Sequence, residues 1–228
     1  MSDGLLRTTG RRTLWSVATL LSLLVVVVAA GYFRFDPSTY FTEQRSVYLA
    51  HRLPLYLHIG GACLALATAP WQLSRILRQR LPGLHRATGR VYVAGVVVGG
   101  IGGLAMAPLS FGGPVAHLGF TVLALAWLTT TGVGLAAVRR GDLARHRRWM
   151  IRSFALTFAA VTLRLYLGTY LGLQAAGLAP VGYATAYAAI AWLSWVPNLA
   201  LAWRLTGRPP ADAPARESLH DEEPAGLA

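Results

Sequence analysis

Six apolar runs, separated only by short polar connections, occupy the chain from Leu14 to Leu205. Each is about 20 residues long, the length an α-helix needs to cross the roughly 30 Å of hydrocarbon in a bilayer. A run that long without charge does not suit a soluble core helix, which carries a polar stripe toward water. The first run, Leu14–Phe33, competes with a secretory signal, and Arg11-Arg12 has a faint twin-arginine look. Signal apolar regions are shorter and end at a small-residue cleavage site. Five further runs follow, so a signal anchor is the better reading. Composition agrees: only 13% of residues are charged and 54% are hydrophobic, about half the charge of an ordinary soluble domain.

The runs predict an all-α fold, a polytopic membrane protein built as a six-transmembrane-helix bundle. The helices are expected at Leu14–Phe33, Leu53–Leu73, Pro82–Ala107, Val115–Val138, Leu143–Leu171 and Val181–Leu205. Pro82 suits a first helical turn, where its missing N–H costs nothing, and Asp142 suits an N-cap. Residues 1–13 form a short basic N-terminal segment and 14–205 the membrane domain. Residues 206–228, rich in proline and acid, read as a disordered tail that includes His220.

All 21 basic residues are arginine, and the net charge is +12. They gather at the N-terminus, at 74–90 and at 139–149, alternating with turns at 108–114 and 172–180 that carry no charge. The positive-inside rule places both termini in the cytoplasm and explains the charge without nucleic acid. The expected location is the inner (plasma) membrane, spanned several times, with membrane lipid as partner. One cysteine, Cys63, gives neither an intrachain disulfide nor a thiolate metal site.

Four histidines fall on four successive runs. His58 and His117 lie near the outer ends of the second and fourth, and His85 and His146 near the inner ends of the third and fifth. An ionisable side chain in a membrane helix is costly unless it has a partner or a task. Bis-histidine ligation of haem iron is one such task. Two haems b follow, the outer on His58/His117 and the inner on His85/His146, stacked across the bilayer. The face of His85 continues through Gly89, Tyr92, Gly99, Gly100 and Gly103, and that of His58 through Gly61, Ala62, Ala65 and Ala69. Small residues leave room for a flat ring, but Gly95, Gly99 and Gly103 also have the spacing of an ordinary helix-packing face. The histidines have a plainer alternative too, as hydrogen-bonded packing residues. His51, one heptad before His58, reads best as a loop residue.

Beyond the basic start of the fifth run, two arginines stand within its apolar part, after Met150. Arg164 lies in its outer half, and no acidic residue occurs in any apolar run. Its counter-charge must be Asp36 or Glu43 from the outer loop, a lipid phosphate, or a bound anion such as a haem propionate. His146 and Arg164 are eighteen residues apart, five turns on one face that also carries Ser153, Thr157 and Ala160. Arg152, nearer the inner edge, either meets inner propionates or snorkels to headgroups.

The stretches His85-Arg86-x-x-Gly89-Arg90-Val91-Tyr92 and Arg140-Gly141-Asp142-x-x-x-His146-Arg147-x-Trp149-Met150-Ile151-Arg152-Ser153 resemble an uncharacterised bacterial membrane family, domain of unknown function 2306. The likeness runs from the second helix to the sixth and implies no activity. The helix and histidine layout is also similar to the dihaem cytochrome b family 561, the transmembrane ferric reductases. That resemblance implies haem ligation by His58, His117, His85 and His146. It implies electron transfer across the membrane between a small-molecule electron donor and an acceptor, as a transmembrane oxidoreductase. His85 and His146 lie further out than that family's ligands, its substrate-binding basic residues are not assigned to positions in this sequence, and its substrate does not carry over. Two readings of other kinds stand beside it. One is a non-redox small-molecule carrier or accessory subunit, in which His58, His117 and Arg164 make a polar pocket. The other is a zinc or copper site on the histidines. Direction of transfer and oligomeric state are left open.

Overall fold

The computed structural model describes residues 2–207. The acidic part of the tail and His220 lie outside the described residues. Among those described there are ten α-helices and no strand: α1 (Ser2–Ala30), α2 (Arg45–Ala50), α3 (Arg52–Gln72), α4 (Arg75–Arg80), α5 (Pro82–Met106), α6 (Gly113–Arg139), α7 (Leu143–Thr157), α8 (Ala159–Ala175), α9 (Tyr183–Leu193) and α10 (Val196–Thr206). Five stretches are long and apolar enough to cross a membrane: Thr13–Arg34, Arg52–Gln72, Pro82–Leu109, Gly113–Arg139 and Leu143–Ala175. Leu14, Leu20, Val27, Ile101 and Leu125 are among the many exposed large apolar residues, as a lipid-facing surface requires.

The first expected segment continues N-terminally as helix through residues 2–13. Two others differ from single spans. The fifth is divided at Phe158, where α7 gives way to α8. The sixth is two 11-residue helices, parted at Ser194–Trp195 with Pro197 near the start of the second. Each piece is too short to span alone. The two breaks face each other and share partners. Asn198 Nδ2 reaches the carbonyls of Ala155 (3.4 Å) and Ser194 (3.0 Å) and the Thr162 hydroxyl (3.2 Å). Thr162 in turn donates to the Ser194 carbonyl. Polar side chains thus serve the backbone that the breaks expose, the condition for irregular backbone at membrane depth.

Local chemistry sets the ends. Pro82 opens α5, and the Asp142 carboxylate accepts from the Arg145 N–H at 2.8 Å to cap α7. Gly112 (φ 93°) and Gly141 (φ 78°) make the left-handed turns before α6 and before α7. The end of α3, the start of α5, the end of α6 and the start of α7 form one arginine-rich end of the bundle. There Arg78 donates to the carbonyls of Gln72 and Leu73. Burial, then the charges of Arg147 and Arg75, hold its pKa below the ordinary arginine value.

α3 and α5 meet backbone to backbone. A Cβ on Gly61 would lie 2.2 Å from the Gly99 nitrogen, and one on Gly95 2.7 Å from the Gly61 carbonyl oxygen. One on Gly102 would lie 2.5 Å from the His58 nitrogen. Gly61, Gly95 and Gly102 thus form a helix-packing seam between α3 and α5. The main core joins Ala65, Ala69, Tyr92, Val96, Trp127, Leu156, Ala159 and Trp195.

Candidate functional site

The half of the bundle away from the arginine-rich end is not solid. A cavity of about 270 Å³ opens between α3, α5, α6 and the α7–α8 break. His58 and Ala62 line it from α3, Gly99, Gly100 and Gly103 from α5, Phe120 and Trp127 from α6, and Thr157, Ala160 and Arg164 from α7 and α8. Tyr48 of α2 and Tyr187 of α9 close it toward the far end. A second cavity, of about 320 Å³, lies under the loop at Thr39–Thr42, and Ala29, Tyr32 and Arg164 line both.

Arg164 stands in this space rather than in packed protein. Its side chain is exposed, and both cavities open onto it. Among the described residues its one hydrogen bond is from NH1 to the Ala160 carbonyl of its own helix, at 2.9 Å. Among the described residues no carboxylate pairs with it. Asp36 instead accepts from Ser38, through the amide (2.9 Å) and the hydroxyl (2.7 Å). Tyr48 lies outside the spans, and burial first, then the neighbouring Tyr187 and Tyr32, raise its hydroxyl pKa far above the usual tyrosine value. It offers a neutral hydroxyl.

The four histidines are placed differently. His58 Nδ1 is 2.8 Å from the Gly99 carbonyl oxygen. A carbonyl only accepts, so Nδ1 carries the hydrogen and donates. Nε2 has no partner among the described residues, and the ring lines the cavity. His117 does not line that cavity; its Nε2 lies 2.7 Å from the Ser110 carbonyl and donates to it. At the arginine-rich end, His146 Nδ1 donates to the Gly134 carbonyl at 2.8 Å. His85 lies near enough to feel the charge of His146, and its buried Nδ1 has no hydrogen-bond partner among the described residues. Among those residues no three histidines, cysteines or carboxylates come together to hold a metal ion. The expected zinc or copper alternative therefore lacks a donor set there. His51 sits exposed at the junction of α2 and α3.

Arg152 is 5% exposed and fully packed. Its guanidinium lies 3.4 Å from the Trp203 ring centroid and 4.6 Å from that of Trp149, and Nε donates to the Thr206 hydroxyl.

A buried hydroxyl cluster lies directly beneath the cavity. The Tyr92 hydroxyl meets Ser153 (2.6 Å) and Thr157 (2.8 Å), Thr131 meets Ser153 (2.6 Å), and Trp127 Nε1 donates to Thr157 (2.9 Å). It ties α5, α6 and α7 together at mid-depth, with every side-chain group partnered. The face expected from His146 to Arg164 does point inward, despite the break at Phe158. Tyr48, Tyr187, Trp127 and Thr131 carry no sequence signal of their own; only the packing shows them.

No curated protein matches the chain, and no solved structure does. Residues 55–206 match the model of the family described as predicted membrane protein (DUF2306), and the chain belongs to that family.

Proposed function

We propose that the chain is a small-molecule-binding membrane protein, a carrier or accessory subunit, whose cavity takes an anionic ligand in the outer half of the bilayer. The observation that carries this is Arg164, a guanidinium that lines open space and has no carboxylate partner among the described residues. A cation inside a membrane bundle requires a counter-charge. Space beside it, with apolar walls and few polar groups, is the usual form of a ligand pocket. The orientation follows from the arginine-rich end, placed in the cytoplasm by the positive-inside rule. α9 and α10 together complete a sixth, broken span. The break between α7 and α8 lines the cavity through Thr157, Ala159 and Ala160, as broken helices line binding sites at mid-depth in transporters.

The test is calorimetric titration of the detergent-purified protein with benzoate and with benzyl alcohol. Benzoate should bind at least roughly tenfold tighter, as a charge-assisted hydrogen bond supplies, and Arg164→Gln should remove the difference. Equal affinities would sink the proposal. Repeating the titration with added phosphatidylglycerol separates the two sources of an anion. A lipid phosphate seated at Arg164 would lower the apparent benzoate affinity as the lipid rises.

One observation favours a second reading, the dihaem electron carrier. His58 and His146 each hold Nδ1–H on a backbone carbonyl, the arrangement that orients an imidazole for ligation through Nε2. His146 also has His85 beside it. Haem would supply one-electron carriage on the pairs His58/His117 and His85/His146. Against the outer pair, His117 Nε2 is engaged by Ser110, and that ring must turn before it can ligate. The support is the histidine layout, since the family match names no activity. A reduced-minus-oxidised visible spectrum decides it. Two haems per chain, falling by one in His58→Ala or His85→Ala, establish this reading. A colourless protein from haem-replete cells removes it.

A further inference from the structure

The state of His58 narrows the ligand further, resting on the anion-binding reading of the same cavity. The Gly99 carbonyl fixes the hydrogen on Nδ1. A second positive charge in the cavity that already holds Arg164 is electrostatically unfavourable, so the ring is neutral and Nε2 presents a lone pair. Rotation cannot turn that nitrogen into a donor. α5 fixes the ring on its Nδ1 side, since a Cβ on Gly103 would lie 2.9 Å from Nδ1. The cavity therefore offers one cation, from α8, and one strong unpartnered acceptor, from α3. The wall around these two groups carries the rings of Trp127 and Phe120 and the glycines of α5, while the hydroxyls of Tyr32, Tyr48 and Tyr187, which can donate or accept, lie in the rest of the lining. A ligand that fills it must be small and apolar in body, anionic at one point, and a hydrogen-bond donor at another. A ligand that lacks the donor leaves Nε2 desolvated and unpaired, which is the strongest form of polar discrimination.

We propose that the cavity selects a hydroxylated aromatic carboxylate, with its carboxylate on Arg164 and its hydroxyl donating to His58 Nε2. A single aromatic ring with these two groups is of a size that about 270 Å³ admits. His58 is then the specificity residue and Arg164 the anchor.

The experiment is a pair of calorimetric titrations of the full chain in maltoside detergent, with 4-hydroxybenzoate and with 4-methoxybenzoate. These probes share carboxylate, ring and ether or phenol oxygen; a methyl group replaces the hydroxyl hydrogen. Unsubstituted benzoate, which lacks both the donor and the added bulk, should bind as weakly as the methoxy compound. The expected result is roughly tenfold tighter binding of the hydroxy compound. The preference should be abolished in His58→Phe and restored in His58→Gln, whose side-chain carbonyl accepts. Comparable affinity for both probes, with both lost in Arg164→Gln, would overturn the donor requirement and leave the anion cavity standing. Binding of neither probe at millimolar concentration would overturn the anion cavity and this selectivity together. Because the preference is read on the unmodified protein, a variant that fails to fold does not remove the test.

Discussion

Arg152 and Arg164 lie twelve residues apart on the same pair of helices, α7 and α8. Neither has a carboxylate partner among the described residues. Their surroundings differ completely. Arg152 is packed between two indoles and bonded to Thr206, so its charge is met by ring faces and its volume is filled. Arg164 has one bond to its own helix and stands at the wall of two cavities. A cation in a membrane bundle is a structural element when the protein closes around it. When the protein leaves room, the charge remains available to something that comes and goes.

The largest effect should fall on the packed arginine. Arg152→Ala removes two cation–π contacts and leaves a hole beside Trp149 and Trp203. It should cost about 2–4 kcal/mol of stability, read as a lowered midpoint in thermal unfolding in detergent. Arg152→Lys keeps the charge but loses the planar stacking surface, and should cost about half as much. An unchanged midpoint in Arg152→Ala would mean that the indole cage is incidental, and the contrast between the two arginines would fail.

Arg164→Gln should show the reverse signature. Because the guanidinium borders open space and makes one hydrogen bond among the described residues, stability should change by no more than about 0.5 kcal/mol. Benzoate affinity should fall roughly ten- to hundredfold, the worth of a charge-assisted contact in a low-dielectric site. A variant that unfolds would show instead that Arg164 is a second Arg152.

The parts of the fold that are legible in the sequence are those encoded locally. Apolar run length places the spans, Pro82 opens α5, and Asp142 caps α7 as expected. The break at Phe158 is not legible, because no proline or glycine marks it. Its partner Asn198 lies 43 residues from Ala155. Pro197 signals a disturbance in the last segment, but the break falls at Ser194–Trp195. Within the site, His58 and Arg164 stand out because polar groups at that depth need a reason. Tyr48 and Tyr187 do not, because only tertiary packing decides which tyrosines face a cavity. The glycines have two readings in the sequence that spacing does not separate: Gly61 and Gly95 meet backbone across the α3–α5 seam, while Gly99, Gly100 and Gly103 also line the cavity. His117 shares the helix position of a ligand, yet a local carbonyl, Ser110, holds its ring. That competition is invisible to spacing.

The smallest effect concerns the carboxylate that the sequence offers as Arg164's partner. Asp36 is fully exposed and caps the short 3-10 turn Pro37–Thr39, next to the Thr39–Thr42 stretch that roofs the second cavity. Hydrogen bonds from the Ser38 hydroxyl and amide hold its carboxyl below the ordinary value of 3.8, and the Arg45 charge adds to this. The group is more acidic folded than unfolded. The stabilisation is therefore present above pH 3.8 and is lost as pH falls through the folded value. The protection factor of the Ser38 amide, its exchange rate relative to the intrinsic rate at each pH, should fall over that acid window, and in Asp36→Asn that pH dependence should disappear. At neutral pH the same variant should leave benzoate affinity within about twofold, because an exposed charge is screened from a cavity it does not line. A tenfold gain in benzoate affinity in Asp36→Asn would mean that Asp36 competes for Arg164. The guanidinium would then be an ion pair that opens on ligand binding, and the difference between the two arginines would be one of partner rather than of space.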